Sequence, residues 1–166
     1  NKKKKMANEI YDSTWWGNTI DTASSIGTST EMIQGQFNLT KIGDELVTNG
    51  DFATDSDWNK NGTITISGGT ANFNNSASGN NVQQTVTLPS GNQYIATYEI
   101  TSITEGKFSI YVGGVLSGNQ NNQVGVYTEV FTSIGINAIY VRARGTTTGS
   151  IDNVSVKEVR ATTVEA

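Results

Sequence analysis

Residues 93–101 read Gln93-Tyr94-Ile95-Ala96-Thr97-Tyr98-Glu99-Ile100-Thr101, and this stretch decides the fold class. Tyr94, Ala96, Tyr98 and Ile100 share one face of an extended chain, and Ile95 and Thr97 share the other. The pattern predicts a strand with one face turned toward a core. Val82, Gln84, Val86 and Leu88 form a similar stripe upstream. Working outward, the alternation predicts strands over 45–48, 63–67, 70–74, 81–88, 93–101, 107–112, 124–132, 137–144 and 150–159. Turn chemistry falls between them at Asn61-Gly62, Gly68-Gly69, Ser90-Gly91-Asn92, Glu105-Gly106, Gly113-Gly114 and Thr146-Thr147-Thr148-Gly149. Short strands at this spacing predict an all-β fold, an antiparallel two-sheet sandwich.

Composition agrees. Hydrophobic residues make up 35% and charged residues only 16% of the 166, so the chain is neither apolar nor a charge-rich disordered segment. Ser, Thr, Asn and Gly fill the difference, as in surface proteins with many turns. The length suffices for one sandwich plus a substantial arm. There is no histidine and no cysteine. Disulfides, Ser/His/Asp and Cys/His catalysis and histidine metal sites are therefore excluded. Only carboxylates remain for acid–base work, and Glu99, Glu105 and Glu129 are scattered, so no enzyme is expected. The glycines sit in β-turns with no helix following, which excludes a phosphate cradle.

The net charge is -4. A nucleic-acid surface needs a clustered basic face, and the one cluster in sequence order is Lys2-Lys3-Lys4-Lys5. No apolar run approaches the ~20 residues of a membrane helix. Nothing apolar follows the lysines, so no secretory leader is expected. Met6-Ala7-Asn8 reads as a translation start, which leaves the origin of the first five residues open.

The chain divides near residue 45. Residues 1–45 carry large apolar side chains without sustained periodicity: Ile10, Tyr11, Trp15 and Trp16 in one knot, then Ile20, Ile26, Met32, Ile33, Phe37, Leu39 and Ile42. Ser, Thr and Gly between them oppose a helix. An extended arm that buries these side chains against something else is expected. Adjacent tryptophans point to opposite sides of an extended chain. Trp15 and Trp16, with Ile10 and Tyr11, are therefore candidate partner-docking residues, and Lys2, Lys3, Lys4 and Lys5 candidates to lie on an acidic partner.

Two motifs carry a family resemblance. Leu46-Val47-Thr48-Asn49-Gly50-Asp51-Phe52, followed by Asp57-Trp58, opens the second region, and Gly149-Ser150-Ile151-Asp152-Asn153-Val154-Ser155-Val156 closes it. Together they resemble the two ends of the galactose-binding-like jelly-roll modules that bind carbohydrate in bacterial cellulases and xylanases. The resemblance covers roughly residues 45–159. It implies a jelly-roll domain over 46–159, an arm over 1–45 and a tail over 160–166, with the closing strand beside the opening motif. It places Phe52 and Trp58 in or at the rim of the core. It also implies a structural calcium ion near Asp51 and Asp152, although Ala53 stands where the family often has a glutamate; no other cofactor is expected.

Residues 7–17 also resemble the start of small structural proteins of tailed bacteriophages. That likeness implies a multi-copy auxiliary capsid or head-fibre protein on the outer surface of a virion, docked by its arm on major capsid or other virion proteins. The alternative is an extracellular carbohydrate-binding module. The loops 75–81 and 117–123 hold amides but no aromatic, and the orientation of Tyr111, Tyr127 and Tyr140 depends on strand register, so residues binding surface glycans are not assigned.

Overall fold

The computed structural model describes residues 36–165, with side chains from 41 to 160. Lys2, Lys3, Lys4, Lys5, Ile10, Tyr11, Trp15 and Trp16 lie outside the described residues. Those described fall into two compact units, 36–43 with 159–165, and Asp44–Glu158. Of the first unit, strand backbone is described. The second holds the core and the candidate site.

Nine strands and no helix occur among the described residues: β1 (Gln36–Glu45), β2 (Asn59–Lys60), β3 (Ile64–Ser67), β4 (Thr70–Ser76), β5 (Asn81–Gln84), β6 (Gln93–Val112), β7 (Val115–Leu116), β8 (Gly125–Thr132) and β9 (Ile139–Glu165). The long strand β9 is the axis of the fold. It pairs antiparallel with β5 (Val82 opposite Val141) and then with β4 (Ala71 opposite Ile151). It also pairs with β6 and with β1. Strand β6 in turn carries β8 and β7. The all-β antiparallel architecture expected from the sequence is the one present.

One alternating set of side chains builds the core. Tyr94, Ala96, Tyr98 and Ile100 of β6 are at most 2% exposed, and Ile95 and Thr97 face outward. Ile139, Val141, Ala143 and Ile151 of β9 meet them, with Val82, Ala71 and Phe73. Phe73 and Phe108 meet edge to face, ring centroids 4.9 Å apart, the geometry that aromatic quadrupoles favour.

The opening motif docks on the closing strand. The Val154 N–H donates to the Gly50 carbonyl at 2.8 Å, and the Leu46 N–H to the Val156 carbonyl at 3.0 Å. A Cβ on Gly50 would lie 2.0 Å from the Val154 carbonyl oxygen, so only glycine permits this approach. Phe52 and Trp58 are both buried, ring centroids 5.1 Å apart, and the indole N–H of Trp58 donates to the Asn49 carbonyl. Phe52 holds φ at +48°, a left-handed conformation that costs a bulky residue about 1–2 kcal/mol. Burying its ring contributes about 1.5–3 kcal/mol, enough to hold it there.

The structure corrects four element expectations. Glu105-Gly106 is not a turn: β6 runs unbroken from Gln93 to Val112. Thr146–Gly149 is not a turn either, because β9 continues through it. The residues that suggested turns serve close packing. Gly149 lies against β6, where a Cβ would sit 2.5 Å from the Ser102 carbonyl oxygen, and buried Thr147 donates its hydroxyl to the Lys107 carbonyl at 3.2 Å. The first strand is β1, Gln36–Glu45, rather than 45–48, which belongs to the opening motif. Strand β5 stops at Gln84; beyond it Leu88 is buried but its N–H donates to the side chain of Asn137 rather than to a strand. The hairpin loops Gly68-Gly69 and Gly113-Gly114 form as expected, closing Ser67 onto Thr70 and Val112 onto Val115.

Candidate functional site

Which tyrosines face outward is settled by register. On β6 the neighbours of Tyr111, Ile110 and Val112, are fully buried, and on β9 the same holds for Ile139 and Val141 around Tyr140. Both tyrosines therefore stand on the opposite face from the core, half-buried. They stack on each other, with ring centroids 4.1 Å apart and planes 9° from parallel. Tyr127 differs. It sits on the core side of β8 against Tyr98, at 5.7 Å.

Cross-strand partners extend the pair into a row. Asn59 of β2 lies opposite Gln83 of β5, Gln83 opposite Tyr140 of β9, and Tyr111 of β6 opposite Leu116 of β7. Residues directly opposite share a face. Asn59, Gln83, Tyr140, Tyr111 and Leu116 thus cross five strands in one line, roughly 19 Å long at ~4.8 Å per strand gap. At the Asn59 end an open groove of about 420 Å³ is lined by Asp57, Asn59, Gln84 and Thr85 and by the apolar Leu46 and Val86. Gln84 is not free within it. Its amide donates to the carbonyls of Thr48 and Asp57, and its oxygen accepts from the Thr48 N–H.

A second row runs beside the first. Asn81 lies opposite Arg142, and Ser109 takes the same place on β6, two residues before Tyr111. Two polar atoms here are buried without a hydrogen-bond partner: Ser109 Oγ and Arg142 Nε. Burial, and then the neighbouring Tyr111, push the Tyr140 hydroxyl above the ordinary tyrosine range, while the Arg142 charge and its hydrogen bond pull it down. Arg144 follows Arg142 on the same face of β9, and Lys107 precedes Ser109 on the same face of β6. Among the described residues none of these three cations is in an ion pair, whereas Lys60 pairs with Asp55 and Lys157 with Glu45. The lysine run is therefore not the chain's one basic cluster. Lys107, Arg142 and Arg144 form another, which sequence order hides because it draws on two strands.

The amide-rich loops are mostly occupied with themselves. Asn121 donates its side chain to the buried Tyr98 hydroxyl at 2.8 Å and pairs its backbone with Phe108. Ser117 Oγ lies 2.6 and 2.7 Å from the carboxylate oxygens of Glu129. Burial pushes the Tyr98 hydroxyl up to about 12, helped by the charges of Glu129 and Tyr127 and opposed by the Asn121 bond. In the other loop Asn81 ties back to the Gly79 carbonyl, and its N–H donates to the Asn61 side chain. The exposed sheet face, rather than the loop tips, presents the aromatic rings.

Asp51 and Asp152 are close enough for their charges to interact. Burial raises the Asp152 pKa; the Asn153 N–H, donating at 2.6 Å, lowers it; and the charges of Glu99 and Asp51 raise it again. Asn153 Nδ2 donates to Glu99 Oε2 at 2.8 Å. No group of three or more acidic, histidine or cysteine side chains is placed to hold a metal among the described residues. A calcium ion here would need backbone carbonyls to complete the ~6–8 oxygens it takes.

No protein-family model matches the chain, and no curated protein does. Solved structures do. The chain is similar to a CBM4 structure at 14% identity and TM-score 0.39, over 63% of this chain and 91% of that one. It is similar to CBM35 from Paenibacillus barcinonensis, also at 14% identity and TM-score 0.39, over 77% and 98%. The all-strand, antiparallel architecture implied by the opening and closing motifs is the one found among the described residues.

Proposed function

We propose that the unit Asp44–Glu158 is a non-catalytic carbohydrate-binding module whose ligand lies along the outward row of β2, β5, β9, β6 and β7. The observation that carries this reading is the stacked pair Tyr111 and Tyr140 on the face opposite the core. Aromatic rings offer the apolar faces of sugars an amphipathic surface. Asn59 and Gln83 supply amide donors and acceptors for hydroxyls on the β2 and β5 side of the pair. The row is long enough for a chain of several sugars, and its open relief suits a polymer better than a single enclosed sugar. Nothing in the row supplies a paired acid and base. The role is then to hold a polysaccharide outside the cell, or on a surface, without altering it.

Docking in a phage particle depends on Ile10, Tyr11, Trp15, Trp16 and the lysine run. The outward-facing, half-buried tyrosine pair favours the glycan reading.

The test is binding to a panel of plant and microbial polysaccharides by affinity electrophoresis and calorimetry. At least one is expected to bind, with Tyr140→Ala and Tyr111→Ala each weakening it by about tenfold, the effect of ~1.4 kcal/mol. If no polysaccharide binds tighter than about 1 mM, or if both variants bind like the parent, the platform is not the site.

A further inference from the structure

We infer that the polysaccharide is anionic and carries carboxylates, as a polyuronate does, and that Arg142 receives them. The inference rests on the glycan reading and goes further, to the ligand's chemistry.

The chain has 15 acidic and 11 basic residues, so two rows with cations and no acid depart from its average; acids stand only at their ends, Asp57 in the groove beside Asn59 and exposed Glu105 two residues before Lys107 on β6. The outward positions named in the two rows are Asn59, Gln83, Tyr140, Tyr111 and Leu116, then Asn81, Arg142 and Ser109. None is a carboxylate. Arg144 and Lys107 continue the second row along the strands. Arg142 and Arg144 are two residues apart on β9, roughly 7 Å. Of the other described cations, Lys60 and Lys157 are in ion pairs and Arg160 has an interaction of its own, while Lys41 stands exposed in the other unit.

Arg142 is also unfinished chemically. Its Nε, like Ser109 Oγ on the neighbouring strand, is buried without a partner, so the part of the guanidinium that a ligand can reach is the portion left exposed by this half-buried side chain. A guanidinium offers donors in a planar fork that matches the two oxygens of a carboxylate. A neutral hydroxyl accepts through one oxygen and leaves part of the fork unmet. A sugar ring seated at Tyr140 places its substituents toward Arg142, the next outward residue on the same strand. The platform then holds the apolar ring face while the arginine takes the acid.

The test compares polygalacturonate with the same polymer after its carboxyl groups are reduced to alcohols, so that only the charge changes. The parent is expected to bind the acid form at least about tenfold more tightly than the reduced form at low salt, with the preference shrinking as salt rises. Arg142→Gln, and separately Arg144→Gln at a less critical position, are expected to bring the two forms closer without lowering the melting temperature. Four results bear on the inference. Preference for the acid form, lost in Arg142→Gln, supports it. Equal binding of both forms, weakened alike by Tyr140→Ala, overturns the charge inference and leaves the glycan platform standing. No binding of any polysaccharide, charged or neutral, overturns both. Binding of single-stranded DNA or dextran sulfate as tight as polygalacturonate, and insensitive to Tyr140→Ala, shows a patch that reads charge alone and overturns the carboxylate assignment.

Discussion

Ser109→Ala is expected to stabilise the protein. Ser109 is 0% exposed, and its hydroxyl has no hydrogen-bond partner. A buried hydroxyl left unpaired costs about 1–3 kcal/mol relative to water. The substitution removes that oxygen and keeps Cβ. The dispersion attraction of a single small atom offsets less than about 1 kcal/mol of this. Alanine lacks some of serine's fit to a strand, a further few tenths of a kcal/mol at most on a propensity scale spanning ~1 kcal/mol. The balance is a gain of about 1 kcal/mol, or roughly 3–5 °C in Tm for a unit of this size. Scanning calorimetry of parent and variant, with urea unfolding as a second measure, reads it directly. A Tm that falls or does not move would mean that the hydroxyl is satisfied, most simply through the neighbouring Arg142. The reading of Ser109 Oγ and Arg142 Nε as buried atoms without partners would then be wrong.

Other outcomes follow from particular residues. Gly50→Ala places a Cβ 2.0 Å from the Val154 carbonyl oxygen; forcing the two segments apart and weakening the adjacent backbone bond is expected to cost about 2–4 kcal/mol, seen as a lower urea midpoint. The Asp152 carboxyl is raised in the fold, so its contribution is present below the unfolded pKa and lost as pH rises through the folded one; Asp152→Asn should therefore gain stability relative to the parent at pH 7, and the advantage should vanish in acid. Tyr98, pushed up to about 12, gives stability present below pH ~10 and lost between there and about 12, on the order of 2–3 kcal/mol; Tyr98→Phe, which cannot ionise, should flatten that alkaline limb. A calcium ion held near Asp51 and Asp152 would relieve their repulsion. Millimolar calcium added to chelator-treated protein should then raise the parent's Tm and leave Asp152→Asn unmoved, and an equal response in both would remove the ion from this place.

The opening and closing motifs were legible because each states a local requirement. Asn49-Gly50 permits a tight approach, and Phe52 and Trp58 are large residues with only one place to go. Their pairing in space, through Gly50 and Val154, is what the resemblance implied. Turn reading was less reliable. Gly106 and Gly149 look like punctuation in sequence, yet they sit inside strands where two backbones nearly touch. Glycine serves both purposes, and only the neighbouring chain distinguishes them.

The sequence by itself determined that this is a β protein, where its core stripe runs along residues 93–101, and which chemistries it lacks. Those properties depend on side-chain period and residue type, which are local. Tertiary structure alone decided the binding face. Period two says that a strand has two sides without saying which one meets the core, so Tyr111, Tyr127 and Tyr140 were equivalent until β5, β6, β8 and β9 found their partners. The cluster of Lys107, Arg142 and Arg144 was hidden for the same reason: its members come from two strands that are distant in the chain and adjacent only after pairing.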